Sequence, residues 1–209
     1  MMRPFDDATR RNIAAACAAF TRLPEDGAAS ALKRAAVAVA LTAAGDGDDT
    51  AFLLTLRASH LRAHRGQWAL PGGRCDAGET PVEAALRELD EELGLRLTDA
   101  EVLGTLDDYP TRSGYLITPV VVWADDSAAI EPNPDEVASV HRIALATIER
   151  EDAFDFVAIP ESERRVIRFH HQTSLIHAPT AALIYQFREV LAGRPTRVTD
   201  LEQPVFAWK

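Results

Sequence analysis

Glu88, Glu91 and Glu92 stand at positions i, i+3 and i+4 of a segment that reads as helix, so their carboxylates project from one face about a turn apart. Like charges that close repel one another, by a few tenths of a kcal/mol per exposed pair (about 0.2–0.5) and by more when water is removed. A cation is the natural complement. Hard carboxylate oxygens without a cysteine pair or histidine pair beside them select Mg²⁺ or Mn²⁺, which bind one or two protein carboxylates together with phosphate oxygens and waters. At a diphosphate such an ion neutralises charge, positions an attacking water and lowers its pKa. Pro71-Gly72-Gly73, just upstream, would let backbone approach the ion or the phosphate closely, because glycine has no Cβ in the way. The plain alternative is a solvated helix face laced by pairs such as Glu83 with Arg87.

The elements that must hold these groups are legible. Thr80-Pro81-Val82-Glu83 combines an N-cap threonine, proline at the first helical position and glutamate at the third, and Gly94 is a natural helix stop. The spacing predicts a helix over the residues between them. Upstream, an amphipathic helix is predicted from Asp7 to Arg22, with Ile13, Cys17 and Phe20 on its apolar side. Leu23 to Ser30 reads as a linker. Arg34–Thr42 and Thr50–Arg57 read as a strand pair around a Gly/Asp-rich turn, followed by a loop from Ala58 to Gln67. Downstream, strands are predicted at Val102–Leu106, Tyr115–Trp123 and Val137–Ile143, with EPNPDE as a loop before the last. RRVIRF reads as a further strand and TAALIYQFREVLAG as a helix ending at Gly193, while the tail from Arg194 has no assignment.

The 209-residue chain is expected to form a single domain: an N-terminal helix at 6–22, a core at 33–150 and a C-terminal strand, helix and tail at 164–209. Its net charge of −10 opposes a grip on a nucleic-acid polymer, whereas a small anionic substrate remains compatible if local cations and a metal offset the field. Those cations are present: Arg57, Arg62, Arg65 and Arg74, with His60 and His64, fall within one short stretch, and guanidinium groups grip phosphate bidentately. No apolar run is long enough to cross a membrane as a helix, and MMRPFDDATRR has no apolar signal region. With only Cys17 and Cys75, and no C-x-x-C pair, a reducing cytoplasm is the expected setting.

Read in place, residues 73–95 give G-x5-E-x7-R-E-L-x-E-E-x-G-L, with Gly73, Glu79, Arg87, Glu88, Leu89, Glu91, Glu92, Gly94 and Leu95 at the fixed positions. This segment resembles the Nudix box. The resemblance implies an α/β fold, an α/β/α sandwich around a mixed β-sheet with a loop-helix-loop metal site, and a hydrolase of diphosphate bonds. It implies Glu88, Glu91 and Glu92 as ligands of Mg²⁺ or Mn²⁺, with the Gly73 carbonyl as a further ligand. Glu79 and Arg87 would pair and brace the loop against the helix. A carboxylate from outside the box is implied as ligand or general base; Glu136 is the candidate, with Asp135 next.

The stretch LLTLRASHLRAHRGQWALPGG, Leu53 to Gly73, resembles the additional signature of the coenzyme A pyrophosphatase branch, through Leu53, Leu54, Thr55, Arg57, Ala58, Arg62, Gly66, Leu70, Pro71, Gly72 and Gly73, with His64 and Gln67. That resemblance implies Arg57, Arg62, His64 and Gly72 as substrate contacts and CoA or acyl-CoA as substrate. Trp68 and Leu70 depart from the branch, and Trp68 is suited either to core packing or to stacking on a base. ADP-ribose, NADH or another nucleoside-diphosphate derivative is the alternative substrate. A nucleotide-binding domain without turnover is the alternative class.

Overall fold

The computed structural model describes residues 3–24, 31–45, 49–59, 66–124 and 130–207. Helix α1 (Asp7–Ala19) starts where the Asp6 carboxylate accepts the Thr9 N–H at 2.7 Å. It ends three residues earlier than predicted. Beyond Phe20 the chain leaves the helix axis, because Asp107 takes the Leu23 N–H and Asp108 takes Arg22.

The predicted strand pair forms: β1 (Lys33–Ala43) and β2 (Thr50–Arg57) are antiparallel, with Leu41 opposite Phe52. β3 (Trp68–Ala69) and β4 (Gly72–Arg74) are short additions along β2 and β1. Helix α2 (Pro81–Leu93) carries the full capping box between Thr80 and Glu83, and Gly94 closes it at φ 69°, a left-handed conformation that glycine adopts without strain. β5 (Val102–Thr105), β6 (Tyr109–Pro110) and β7 (Tyr115–Trp123) follow. β7 lies parallel to β1 from Lys33 opposite Tyr115 to Leu41 opposite Trp123, while every other pairing in the sheet is antiparallel. β8 (Val137–Ala144) covers the other edge of β2.

This mixed sheet has an apolar set on each face, as the two-residue period of its strands requires. Ala36, Ala38, Ala40, Val120 and Val122 face α2 and pack with Ala84, Ala85, Leu89 and Leu93. Val39, Leu41, Phe52, Leu54, Val121 and Trp123 face the opposite layer, which includes Ile13 and Cys17 of α1, α3 (Leu145–Glu149) and α4 (Thr180–Leu191). The result is an α/β/α sandwich. The region around RRVIRF holds more strand than predicted: β9 (Phe154–Ile159), β10 (Ser162–His171) and β11 (Ser174–His177) form a separate antiparallel meander, with Ile167 and Phe169 packed in the same core as α4. Among the described residues no helix is long and apolar enough to cross a membrane.

A buried carboxylate helps to tie down the tail, along with the Tyr109 hydroxyl on the Leu201 carbonyl and Arg197 on Asp107. Glu202, 2% exposed, accepts from Arg112 and the Ser162 hydroxyl and pairs by its backbone with β10. The Arg112 guanidinium and these hydrogen bonds hold its carboxyl down at about 2. Its contribution to stability is therefore present above the ordinary range near 4.5 and is lost as pH falls towards 2. Glu202→Gln is expected to lower stability at pH 7 by about 1–3 kcal/mol, with the deficit shrinking between pH 4.5 and 2; denaturant titrations across that range measure it.

Candidate active site

The carboxylates gather where α2 crosses β4. Gly73 sits directly against Glu88: a Cβ at Gly73 would lie 2.1 Å from Glu88 Oε1, so no larger residue fits without displacing that carboxylate. One turn further along, Glu92 is 2% exposed, and its Oε2 accepts the Gly72 N–H at 3.2 Å. Arg57, at the end of β2, approaches Glu92 from the other side, with Nη1 3.5 Å from Oε1. The buried Nε of Arg57 has no hydrogen-bond partner, so its guanidinium keeps donor capacity for a ligand.

Glu136 joins this group through backbone geometry. Glu131 N–H and Asn133 N–H bond to the carbonyls of Leu93 and Glu92, which laces the loop onto the end of α2. Ala58 N–H then bonds to the Glu136 carbonyl at 2.9 Å, fixing it beside β2. Its charge bears on both Glu88 and Glu92. Asp135, by contrast, is exposed.

Burial and mutual repulsion decide the electrostatics. Loss of solvent, with the charges of Glu88 and Glu136, pushes the Glu92 carboxyl up to about 7, against the pull of Arg57 and the Gly72 N–H. Glu88 is raised as well, first by burial and then by Glu91 and Glu136, although Arg87 pulls the other way. Glu79 is lowered, chiefly by its hydrogen bonds with Arg87.

Arg87 organises the rim. Its Nε donates to Glu79 Oε1 at 2.8 Å, its Nη1 to Glu88 and Glu91 at 2.9 Å each, and its Nη2 to the Arg74 carbonyl at 3.0 Å. Glu83, the helical neighbour one turn back, is instead committed to the Thr80 cap. Among the described residues no three acidic, histidine or cysteine side chains converge as a ready-made metal cage. Arg87 draws Glu88 and Glu91 to itself, and Glu91 stays half exposed. The donor chemistry nonetheless suits a hard divalent cation, since the carboxylates are all-oxygen, desolvated and short of positive charge, and Gly73 leaves room where Glu88 meets backbone.

Beside the carboxylates, across β4, lies a cavity of about 590 Å³. Arg57, Gly72, Gly73 and Arg74 form its near wall, and residues of β11, the start of α4 and the tail close the far side, among them His177, Leu183 and Phe206. Trp68 packs edge-on with His141 and His171, in line with a packing role, and it also lines this cavity. Sequence reasoning missed the β11 and tail contribution, whose only signal was the unassigned apolar residues of the tail. Arg62 and His64, like His60 and Arg65, lie outside the described residues.

The loop-helix-loop around α2 thus presents carboxylates beside β4 and a cavity. A NUDIX domain profile matches residues 32–161, and the chain belongs to that family. It is 33% identical to an uncharacterized Nudix hydrolase NudL of Photorhabdus laumondii, over 66% of this chain and 75% of that one. Nudix hydrolase 3 of Caenorhabditis elegans is 42% identical over 48% of this chain and 43% of that protein. In fold, the chain is similar to a MutT/nudix family protein from Enterococcus faecalis, with a TM-score of 0.53 and 22% identity over 84% of this chain and 68% of that one.

Two outcomes test the site geometry. Glu92 holds its proton to about 7 in the fold but only to the ordinary 4.5 when unfolded, so its charge costs stability progressively as pH rises through that window. With chelator present, Glu92→Gln is expected to raise the melting temperature, with a gain of about 1–3 kcal/mol at pH 8 that vanishes near pH 4.5. Gly73→Ala is expected to cut turnover at least about 100-fold while far-UV circular dichroism keeps its native form, because the added methyl drives the Glu88 carboxylate off its position.

Proposed function

We propose that this chain hydrolyses the diphosphate bond of CoA or an acyl-CoA, releasing 3′,5′-ADP and the corresponding 4′-phosphopantetheine. The observation that carries the reaction class is the group of buried Glu92 with partly buried Glu88 and Glu136 against Gly72-Gly73, with Arg57 beside it and a cavity of nucleotide size adjoining. The CoA reading is supported by the signature-like stretch from Leu53 to Gly73, of which Arg57 and Gly72 border both the carboxylates and the cavity.

Glu88, Glu91 and Glu92, with the Gly73 carbonyl, would hold Mg²⁺ or Mn²⁺. The ion would neutralise the diphosphate and acidify an attacking water. Arg87 can give up Glu88 and Glu91 to it while Glu79 and the Arg74 carbonyl keep the guanidinium in place. Arg57, whose Nε has donor capacity to spare, orients phosphate oxygens, and Gly72, whose N–H holds Glu92, lets them approach the backbone closely. Glu136 takes the proton of the water whose oxygen bonds to one phosphorus as the bridging P–O bond breaks, and the departing phosphate leaves with that electron pair.

Incubation with Mg²⁺ or Mn²⁺ and a panel of CoA, ADP-ribose, NADH, diadenosine polyphosphates and nucleoside triphosphates, with products weighed by mass spectrometry, decides the substrate. CoA is expected to yield 3′,5′-ADP; intact CoA alongside cleaved ADP-ribose overturns the CoA reading. Glu91→Gln and Glu92→Gln are each expected to lower kcat about 100-fold or more with the fold intact. Unchanged rates in both would reject the carboxylate mechanism and favour a binding domain without turnover.

A further inference from the structure

The register of the sheet sorts residues onto its two sides. Lys33, Ala35 and Val37 of β1 share a face with their partners Tyr115 and Ile117 of β7 and with Arg74 and Gly72 of β4. Arg34, Ala36 and Gly73 belong to the opposite face, where α2 and Glu88 lie. β4 thus stands between the carboxylates and the cavity, with Gly73 and Arg57 bordering both.

Two cations share the ring of Tyr115, which lines that cavity: Arg74 lines it too, and Lys33 borders the next hollow, which Arg74 separates from it. Lys33 Nζ lies 5.9 Å and Arg74 Cζ 5.2 Å from the centroid of Tyr115. Both side chains are exposed, and among the described residues neither forms an ion pair. That is notable in a chain of net charge −10 whose Arg87, Arg112, Arg168, Arg194 and Arg197 each hold a carboxylate. The charged neighbours do not cancel the pair: Glu79 is bound by Arg87, Asp76 borders the next hollow without pairing to Arg74, and Arg34 points to Asp108. Ser113, whose hydroxyl is 3.1 Å from that of Thr111, also lines the cavity. Two like charges on one ring, with a hydroxyl beside them, complement a compact dianion.

We propose that Lys33 and Arg74, with the Ser113 hydroxyl, bind a phosphate monoester carried on the nucleoside half of the substrate, a second phosphate position apart from the one where the diphosphate is cut. The proposal rests on the reading that the nucleotide half occupies this cavity. Arg74 follows Gly73 directly, one strand residue or roughly 3.3 Å further on, so a single nucleotide can address both positions with phosphates on two of its ribose oxygens. Substrates that carry the extra phosphate are selected over those that lack it, because these unpaired cations gain a partner only with the former.

Calorimetry with adenosine 3′,5′-bisphosphate and with AMP tests this without any turnover. The bisphosphate is expected to bind at least about 10-fold more tightly to the parent protein, and the Lys33→Ala/Arg74→Ala pair is expected to reduce that advantage to under about 3-fold. Arg74→Lys retains part of it. In kinetics, the ratio of kcat/KM for CoA over dephospho-CoA is expected to fall in parallel. Equal affinities in the parent, or an undiminished advantage in a double variant with native circular dichroism, overturns the proposal. Should the double variant not fold, Lys33→Gln alone, at an exposed side chain, must still lower the advantage or the proposal fails. A protein that prefers the bisphosphate yet leaves both CoA and dephospho-CoA intact upholds the phosphate position and removes the CoA reading instead.

Discussion

The site depends on the close approach of α2 to β4, where carboxylates are held with too little water and too little positive charge to be comfortable. Gly73 permits the approach by having no side chain in the space that Glu88 fills. Arg87 makes it tolerable by spreading one guanidinium over Glu79, Glu88, Glu91 and the Arg74 carbonyl. Neither device relieves Glu92, whose ion pair among the described residues is a long contact from Arg57 and whose carboxyl keeps its proton to about 7. A buried carboxylate with only partial compensation costs stability. The surrounding sandwich supplies the offset, with Ala84, Ala85, Leu89 and Leu93 of α2 wholly buried against the sheet beside the charges.

That arrangement explains the division of labour along α2. Its apolar residues at 85, 89 and 93 fix the helix on the sheet, and Glu88 and Glu92, one position before Leu89 and Leu93, are carried to the seam between helix and strand. Glu91 falls further round the helix and stays half exposed, paired with Arg87. The three glutamates are therefore not equivalent: two are desolvated by the fold and one is solvated, a difference that i, i+3, i+4 spacing alone does not reveal.

Local signals in the sequence carried much of this. The capping box, the proline at the helix start and Gly94 located α2 to the residue, since each acts through backbone groups within one turn. Apolar runs likewise locate β2 and β7 to the residue and β1 and β8 within one residue. What depends on distant pairing was out of reach. Glu136 was nominated from its loop position and the family resemblance, but its approach to Glu88 and Glu92 comes from hydrogen bonds to Ala58 and to the end of α2, which no local pattern encodes. The meander of β9, β10 and β11 was reduced to one strand because its outer members alternate poorly, Phe154–Ile159 being mostly half buried. Lys33 and Tyr115, 82 positions apart in the chain, are neighbours only through a parallel register.

The two sides of β4 also differ in where their residues come from. Every carboxylate of the cluster, with Arg57 and Arg87, lies inside residues 32–161, the span matched by the NUDIX profile. Much of the far wall of the cavity lies outside it, in β11, the start of α4 and the tail that Glu202 anchors to Arg112 and Ser162. Bond cleavage needs a few charges held within fractions of an ångström, and rigid helix and strand provide that. Discrimination among ligands needs shape and a few polar groups, which a tail and a helix entry can supply without disturbing the carboxylates. A change in the tail is thus free to alter what enters the cavity while the geometry around Glu88 and Glu92 stays as α2 and β4 set it.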